Sequence, residues 1–294
     1  MDSHPAPRPR LLIEPLAATL LWGGVFTAAK IGLRDIPALS FITLRILIAT
    51  AVLAVLVLHT RSLRLHRPAW RALILAGLAQ TSFQYLLFQA INRTSASISA
   101  ILLATAPLMT AGWLVAARRE RLGSRQWLGL GLGIVGVALV VQTDQAAPAS
   151  ITLTGNLLAL GSAVAWAWYG LAIGPLARAT GSLSATAATL AIAGMLLLPL
   201  SIPELRSVAW DHVSVAAWAG TLYGSLLGLV LATILWVRSI HRWGTQPTMT
   251  YSYVEPVAAV VIAAIVLGEA LHPIQGMGAL LALAGVFLAS SPKA

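Results

Sequence analysis

Ten long apolar runs, joined by short polar links, constrain this sequence more than any other feature. A helix needs about 20 consecutive apolar residues to cross the hydrocarbon core of a bilayer, and each run has about that length. The runs lie at residues 11–31, 38–58, 71–91, 95–117, 125–142, 153–174, 184–203, 213–237, 246–268 and 273–291. We therefore predict an all-α integral membrane protein with ten transmembrane helices and no inserted soluble domain.

The amino-acid composition excludes a soluble protein. Only 10% of the residues are charged, whereas a soluble domain carries about 25%. The net charge of +10 does not indicate a nucleic-acid partner, because the basic residues lie in the short links between apolar runs. Cysteine is absent, which excludes disulfides and cysteine-based metal sites. The surrounding medium is therefore expected to be membrane lipid.

The distribution of lysine and arginine predicts the orientation in the membrane. If the N-terminus is cytoplasmic, fourteen of the 19 basic residues fall in cytoplasmic segments and four in external ones. The remaining one, Arg45, lies within an apolar run. Because basic links are retained on the cytoplasmic side, we expect both termini in the cytoplasm.

An internal repeat relates the two halves of the chain. Residues 93–137 align without gaps to residues 242–286 at a constant offset of 149. The identical pairs include Arg93 and Arg242, Pro107 and Pro256, Glu120 and Glu269, Gly129 and Gly278, and Gly136 and Gly285. Five helices per half is an odd number, so the second half enters the bilayer from the opposite side. Residues 1–142 and 153–294 are therefore predicted to be inverted five-helix repeats, with a substrate site between them near the midplane.

No constellation in the sequence favours catalysis. The histidines lie in links or near the termini, and Glu120 and Glu269 are expected on opposite sides of the membrane. The glycines between Gly129 and Gly136 lack the spacing of a nucleotide-binding loop and favour close helix packing. No GxxxxGK[ST] loop is present, so a gradient or the substrate itself must supply energy. We expect neither an enzyme nor a bound cofactor or metal ion.

Aromatic and polar side chains near the middle of several runs predict a substrate pocket. Trp22 and Trp166 lie at equivalent depths in the two halves. Rings supply contact area for an apolar substrate, while hydroxyl and amide groups bind its polar ends. The predicted pocket residues are Trp22, Thr81, Gln84, Tyr85, Trp166, Tyr223 and Tyr253. Packing of these groups within the bundle is the alternative interpretation.

Four further residues are candidates for conformational change or coupling. Pro107 and Pro256 each remove a backbone hydrogen bond from an apolar run and are candidate hinges. Glu255 is a candidate carrier of a coupling proton, and Arg45 is a charge at membrane depth. A structural ion pair is the open alternative for both charges.

The residues near both ends of the chain resemble a known transporter family. Residues 267–278, LGEALHPIQGMG, resemble the last two helices of an EamA domain, and Trp22-Gly23-Gly24 resembles its opening helix. The whole chain is similar to ten-helix members of the drug/metabolite transporter superfamily, and especially to the bacterial aromatic and neutral amino-acid exporters. This resemblance implies export of aromatic or other large apolar amino acids across the bacterial cytoplasmic membrane. Export of another metabolite or drug-like compound, or a membrane-embedded enzyme, is the alternative.

Overall fold

Helices form almost all of the described chain. The computed structural model describes residues 12–60, 70–91, 93, 102–117, 121–141, 153–267 and 273–289, and no strand occurs within these ranges. The helices are α1 Ile13–Gly32, α2 Ala38–His59, α3 Trp70–Ile91, α4 Ala106–Ala116, α5 Ser124–Val141, α6 Leu153–Thr180, α7 Ser182–Ser207, α8 Val215–Trp243, α9 Thr245–Thr250, α10 Val254–Leu267 and α11 Pro273–Ala289. The all-helical prediction is confirmed for the described residues.

The helices coincide with the predicted apolar runs. The run at 95–117 is described only from residue 102, and Glu120 and Glu269 lie outside the described residues. Five stretches are long and apolar enough to cross a membrane, namely Ala38–His59, Leu153–Thr180, Ser182–Ser207, Val215–Trp243 and Thr245–Val266. Two shorter helices, Ala106–Ala116 and Pro273–Ala289, are also apolar. The chain therefore contains several segments suited to a bilayer.

The principal helix contacts occur in pairs that are related by the 149-residue offset. The contact between α3 and α6 is equivalent to the contact between α8 and α1. In the same way, the contact between α1 and α10 is equivalent to the contact between α6 and α4. Helices α2 and α7 pack against each other, as do α5 and α11. Adding 149 to the residue numbers of the helices from α1 through α5 gives approximately the ranges of α6, α7, α8, α10 and α11. Under this offset, each of the contacts above becomes another of them or remains the same contact.

The contact between α5 and α11 depends on glycines that leave no room for a side chain. A Cβ added to Gly285 would lie 2.7 Å from the carbonyl oxygen of Gly129. A Cβ added to Gly136 would lie 2.6 Å from the carbonyl oxygen of Gly278. The offset converts one of these contacts into the other, so the two helices meet through equivalent surfaces. Such small residues let the backbones of membrane helices approach closely.

Backbone interruptions precede both candidate hinge prolines. Pro107 is the second residue of α4 and follows a turn at residues 104–105. Pro256 is the third residue of α10 and follows a 3₁₀ turn at Tyr251–Tyr253. Each proline thus lies in the first turn of its helix, where its missing N–H costs no helical hydrogen bond. The apolar runs are interrupted at equivalent places in the two halves.

Polar links join α1 to α8 at both of their ends. Glu14 pairs with Arg238 at 3.0 Å and with Arg242 at 2.8 Å. At the opposite end, the backbone N–H of Ser214 donates to the Asp35 carboxylate at 2.9 Å. The Ser214 side chain and this N–H hold the pKa of Asp35 below its usual value. These links fix the register of the two helices.

We predict that Gly285→Ala lowers the stability of the bundle, because its methyl group overlaps the α5 backbone. Overpacking of this kind costs about 1–3 kcal/mol, so the apparent Tm in detergent is expected to fall by several degrees. Gly131→Ala is the matched control, since among the described residues its added Cβ meets nothing within 4 Å beyond the backbone of its own helix. Equal Tm values for the two variants would contradict the proposed importance of the α5–α11 contact.

Candidate functional site

Five aromatic rings from four helices meet in the interior of the bundle, with Trp166 at their centre. The ring centroid of Trp166 lies 5.3 Å from Trp22, 4.7 Å from Phe83, 5.3 Å from Tyr169 and 5.7 Å from Trp236. Ring pairs at these separations attract one another beyond simple burial. We call these five residues the aromatic cluster. Its rings come from α1 and α3 in the first half of the chain and from α6 and α8 in the second.

Two indole N–H groups of the aromatic cluster differ in their partners. The Trp22 indole donates to the carbonyl oxygen of Gly228 at 2.9 Å. The Trp236 side chain is fully buried, and its N–H has no acceptor among the described residues. A buried indole N–H normally has a partner. The Trp236 N–H is therefore a buried donor that the described residues leave without an acceptor.

Buried amides accompany the cluster. Gln80 lies three residues before Phe83 on α3 and Gln84 directly follows it, and both amides are buried. The Gln246 amide nitrogen donates to the Pro107 carbonyl at 3.4 Å, which joins α9 to α4. The amide oxygens of Gln80 and Gln246 have no donor among the described residues. These oxygens supply the interior with acceptors for an ammonium or a hydroxyl group.

The π-helical segment Tyr223–Ala232 of α8 provides backbone acceptors to other helices. Its Gly228 carbonyl receives the Trp22 indole, and its Gly224 carbonyl receives the Arg45 guanidinium at 3.2 Å. Gly220 lies one turn before these glycines, and a Cβ there would lie 2.5 Å from the Ala28 carbonyl oxygen. Short π-helical segments occur frequently at functional sites. This segment connects the aromatic cluster to a buried cation.

Two tyrosines on the predicted list each pack on a glycine of a neighbouring helix. The Tyr223 ring lies on Gly24 and its hydroxyl donates to the Leu21 carbonyl at 3.2 Å. The Tyr253 ring lies on Gly133, and its hydroxyl donates to the Leu130 carbonyl at 3.1 Å. In both cases the acceptor precedes the glycine by three residues. Both hydroxyls are therefore bonded to protein backbone in this conformation.

The remaining predicted residues occupy different environments. Tyr85 is 37% exposed on the same side of α3 as Leu75 and Leu78, and within the described chain it has no ring contact with the cluster. The Thr81 hydroxyl donates to the Gly77 carbonyl within α3.

Glu255 is half-buried and has no ion pair or hydrogen bond in the described part of the chain. Of the predicted pocket residues, only Trp22 and Trp166 belong to the aromatic cluster.

Three rings of the cluster were not predicted from the sequence: Phe83, Tyr169 and Trp236. Trp236 lies near the end of an apolar run, where a tryptophan is ordinarily expected at the membrane interface. Gly220, Gly224 and Gly228 follow one another at intervals of four residues. This spacing was the sequence signal for the site, because it indicates a face of α8 that other helices approach closely. Trp168, two residues after Trp166, is 40% exposed and contacts Trp113 instead.

The interior groups are suited to binding a small molecule. The described residues contain no group of three or more His, Asp or Glu side chains that could hold a metal ion. The interior instead presents aromatic faces, amide oxygens and one guanidinium. These groups bind a molecule that has a large apolar part and a small polar part.

Comparison with known proteins gives a family match and a structural match. A family model for the EamA-like transporter family matches residues 11–142 and 153–291. A solved crystal structure superposes with a TM-score of 0.79 over 95% of both chains at 20% sequence identity. At that identity, the superposition establishes the fold alone.

Several curated relatives are transporters by name. An uncharacterized transporter of Bacillus subtilis (strain 168) is 25% identical over 94% of this chain and 92% of the relative. A probable amino-acid metabolite efflux pump of Salmonella typhimurium is 24% identical over 93% and 92% of the two chains. A probable terminal-alkyne amino-acid exporter of Streptantibioticus cattleyicolor is 27% identical over 91% and 89%.

We predict that Trp166→Ala strongly destabilises the protein, because it removes the ring that contacts all other members of the cluster. Truncation of a buried tryptophan costs about 3–5 kcal/mol, which thermal unfolding in detergent would detect as a large fall in Tm. Trp168→Ala is the matched control on the same helix and is expected to change Tm little. A larger loss of stability in the control would contradict the central position of Trp166.

Proposed function

This chain belongs to the EamA-like transporter family, and we propose that it is a secondary transporter that exports neutral amino acids with large apolar or aromatic side chains. The observation that carries this proposal is the aromatic cluster, which lies inside a membrane bundle and receives rings from both halves of the chain. Two relatives named as amino-acid exporters support the choice of substrate class. The proposed location is the bacterial cytoplasmic membrane.

The proposed architecture is ten transmembrane helices in two inverted repeats, residues 1–142 and 153–294, with both termini in the cytoplasm. The reciprocal glycine contacts between α5 and α11 support it, because an offset of 149 exchanges them. A two-fold axis in the membrane plane relates such antiparallel surfaces. Transport would proceed by rocking of one repeat against the other around a site at their interface.

In the proposed site, the substrate side chain contacts Trp166 and Trp22, and amide groups such as Gln84 hold its polar end. Tyr253 and Tyr223 are bonded to backbone in this conformation, and we propose that rocking of the repeats exposes them to the substrate. Thr81 and Tyr85 would line the path along α3. Ring contacts give area for an apolar side chain, whereas a strongly charged solute would find few compensating groups.

The energy source is proposed to be an ion gradient, with Glu255 as a proton carrier. Its carboxylate has no ion-pair partner within the described chain. The charged residues on α1, α5 and α11, the helices that pack against α10, are Glu14, Lys30 and Arg125. An unpaired carboxylate at membrane depth can exchange a proton as its surroundings alternate between water and protein. Pro107 and Pro256, at equivalent interruptions, are the proposed hinges.

We predict that purified protein in proteoliposomes transports tryptophan, phenylalanine or leucine, and that Trp166→Phe raises KM about 2- to 10-fold. The phenyl ring keeps part of the stacking area, and one ring contact is worth about 0.5–1.5 kcal/mol. Trp168→Phe should leave KM unchanged. Transport of a drug-like cation or a sugar phosphate, without transport of any neutral amino acid, would refute the proposed substrate class.

A second transport prediction concerns coupling. Glu255→Gln should abolish the dependence of export on a pH gradient, because the amide carries no titratable proton, while substrate counterflow without a gradient should persist. Flux measured with and without an imposed gradient separates these effects. If the gradient stimulates the variant as strongly as the wild type, Glu255 does not carry the coupling proton.

A further inference from the structure

Arg45 is the only buried charged side chain among the described residues, and its charge is not compensated by a carboxylate within them. It is 3% exposed and lies seven residues into α2. Its guanidinium donates one hydrogen bond, to Gly224, and its Nε has no partner in the described chain. A guanidinium offers five N–H donors. Most of its capacity for hydrogen bonds is therefore unused by the described residues.

The surroundings of Arg45 position its guanidinium but do not neutralise it. Its central carbon lies 5.5 Å from the ring centroid of Phe41 and 5.9 Å from that of Phe88. A Cβ added to Gly224 would lie only 2.5 Å from Nε, so the glycine makes room for the charged group. Aromatic faces and a single carbonyl orient a cation, whereas neutralisation requires an anion.

Packing gives no reason for a cation at this position. The offset of 149 places Gly194 at the equivalent position of α7, where an added Cβ would lie 3.5 Å from Ile46, the neighbour of Arg45 in sequence. The same helix pair thus accommodates a glycine on one side and an arginine on the other. A buried charge without an ionic partner destabilises a fold. A function that uses the charge would explain why the chain retains it.

Arg45 and the aromatic cluster adjoin the same residue of α8. The Trp22 indole donates to the Gly228 carbonyl, and a Cβ on Gly228 would lie 3.6 Å from Nη2 of Arg45. The π-helical segment therefore holds Arg45 and Trp22, one member of the aromatic cluster, through carbonyls that lie four residues apart. An α-amino acid carries its carboxylate a few bonds from its side chain, and arginine binds carboxylates through paired hydrogen bonds.

We propose that Arg45 binds the carboxylate of the transported amino acid while the side chain of that amino acid contacts the aromatic cluster. This inference rests on the proposed function and narrows it, because it makes a free carboxylate a requirement. Apolar monocarboxylates without an amino group would then compete for the site. Amines and amides with the same side chain would not.

The test measures counterflow of labelled L-phenylalanine by the purified full chain in proteoliposomes, with three competitors. We expect 3-phenylpropionate to compete, and phenylethylamine and phenylalaninamide to be at least about tenfold weaker than phenylalanine, since each lacks the charged hydrogen-bond acceptor. Equal competition by phenylethylamine and phenylalanine would overturn the proposal.

Variants of Arg45 give a second readout. Arg45→Gln should weaken the binding of phenylalanine about tenfold or more and remove the discrimination against phenylalaninamide. The Tm of this variant should not fall, because the substitution removes a buried charge. Arg45→Lys should restore part of the discrimination, since a lysine keeps the charge but not the paired geometry. Arg34→Gln, in the exposed turn after α1, is the control and should match the wild type.

The outcomes separate the two proposals. Unchanged phenylalanine affinity and unchanged discrimination in both Arg45 variants, with normal transport by the wild type, would refute the role of Arg45 alone. If the wild type transports neither phenylalanine, tryptophan, leucine nor methionine, the proposed function itself fails.

Discussion

The hydrogen bond from the Trp22 indole to the Gly228 carbonyl joins the two halves of the chain at the centre of the bundle. In lipid, each backbone polar group needs a partner within the protein. The π-helical segment of α8 departs from regular helical hydrogen bonding. Side chains of α1 and α2 donate hydrogen bonds to two of its carbonyl oxygens. Trp22 of the aromatic cluster and the guanidinium of Arg45 both donate hydrogen bonds to this one segment.

The helical architecture could be predicted from the sequence because its causes are local. Each apolar run must form a helix in a bilayer, since no other structure satisfies its backbone. Glycines repeat at the same spacing in both halves, and this predicted the close packing that Gly136 and Gly285 provide. The proline-linked interruptions were less accessible, because the break lies before Pro107 and Pro256 rather than at them.

The candidate site was less predictable, because it depends on which faces of distant helices meet. Trp22 and Trp166 could be predicted to lie inside the bundle because their depth within the runs is readable from the sequence, and their rings are in contact. Trp236 was missed because a position near the end of a run resembles an interfacial one, and a π-helical segment rotates the residues after it. Tyr85 shares a face of α3 with lipid-suited side chains, which the sequence pattern around it did not reveal.

The central claim, that a neutral amino acid binds between the two halves at the aromatic cluster, is tested most directly by locating a bound substrate. A crystal structure of the full chain with 4-bromophenylalanine would reveal the bromine by its anomalous scattering. We expect a bromine peak within about 4–5 Å of the Trp166 ring, the distance of side chains in contact. A peak confined to the lipid-facing surface, with none between the halves, would contradict it.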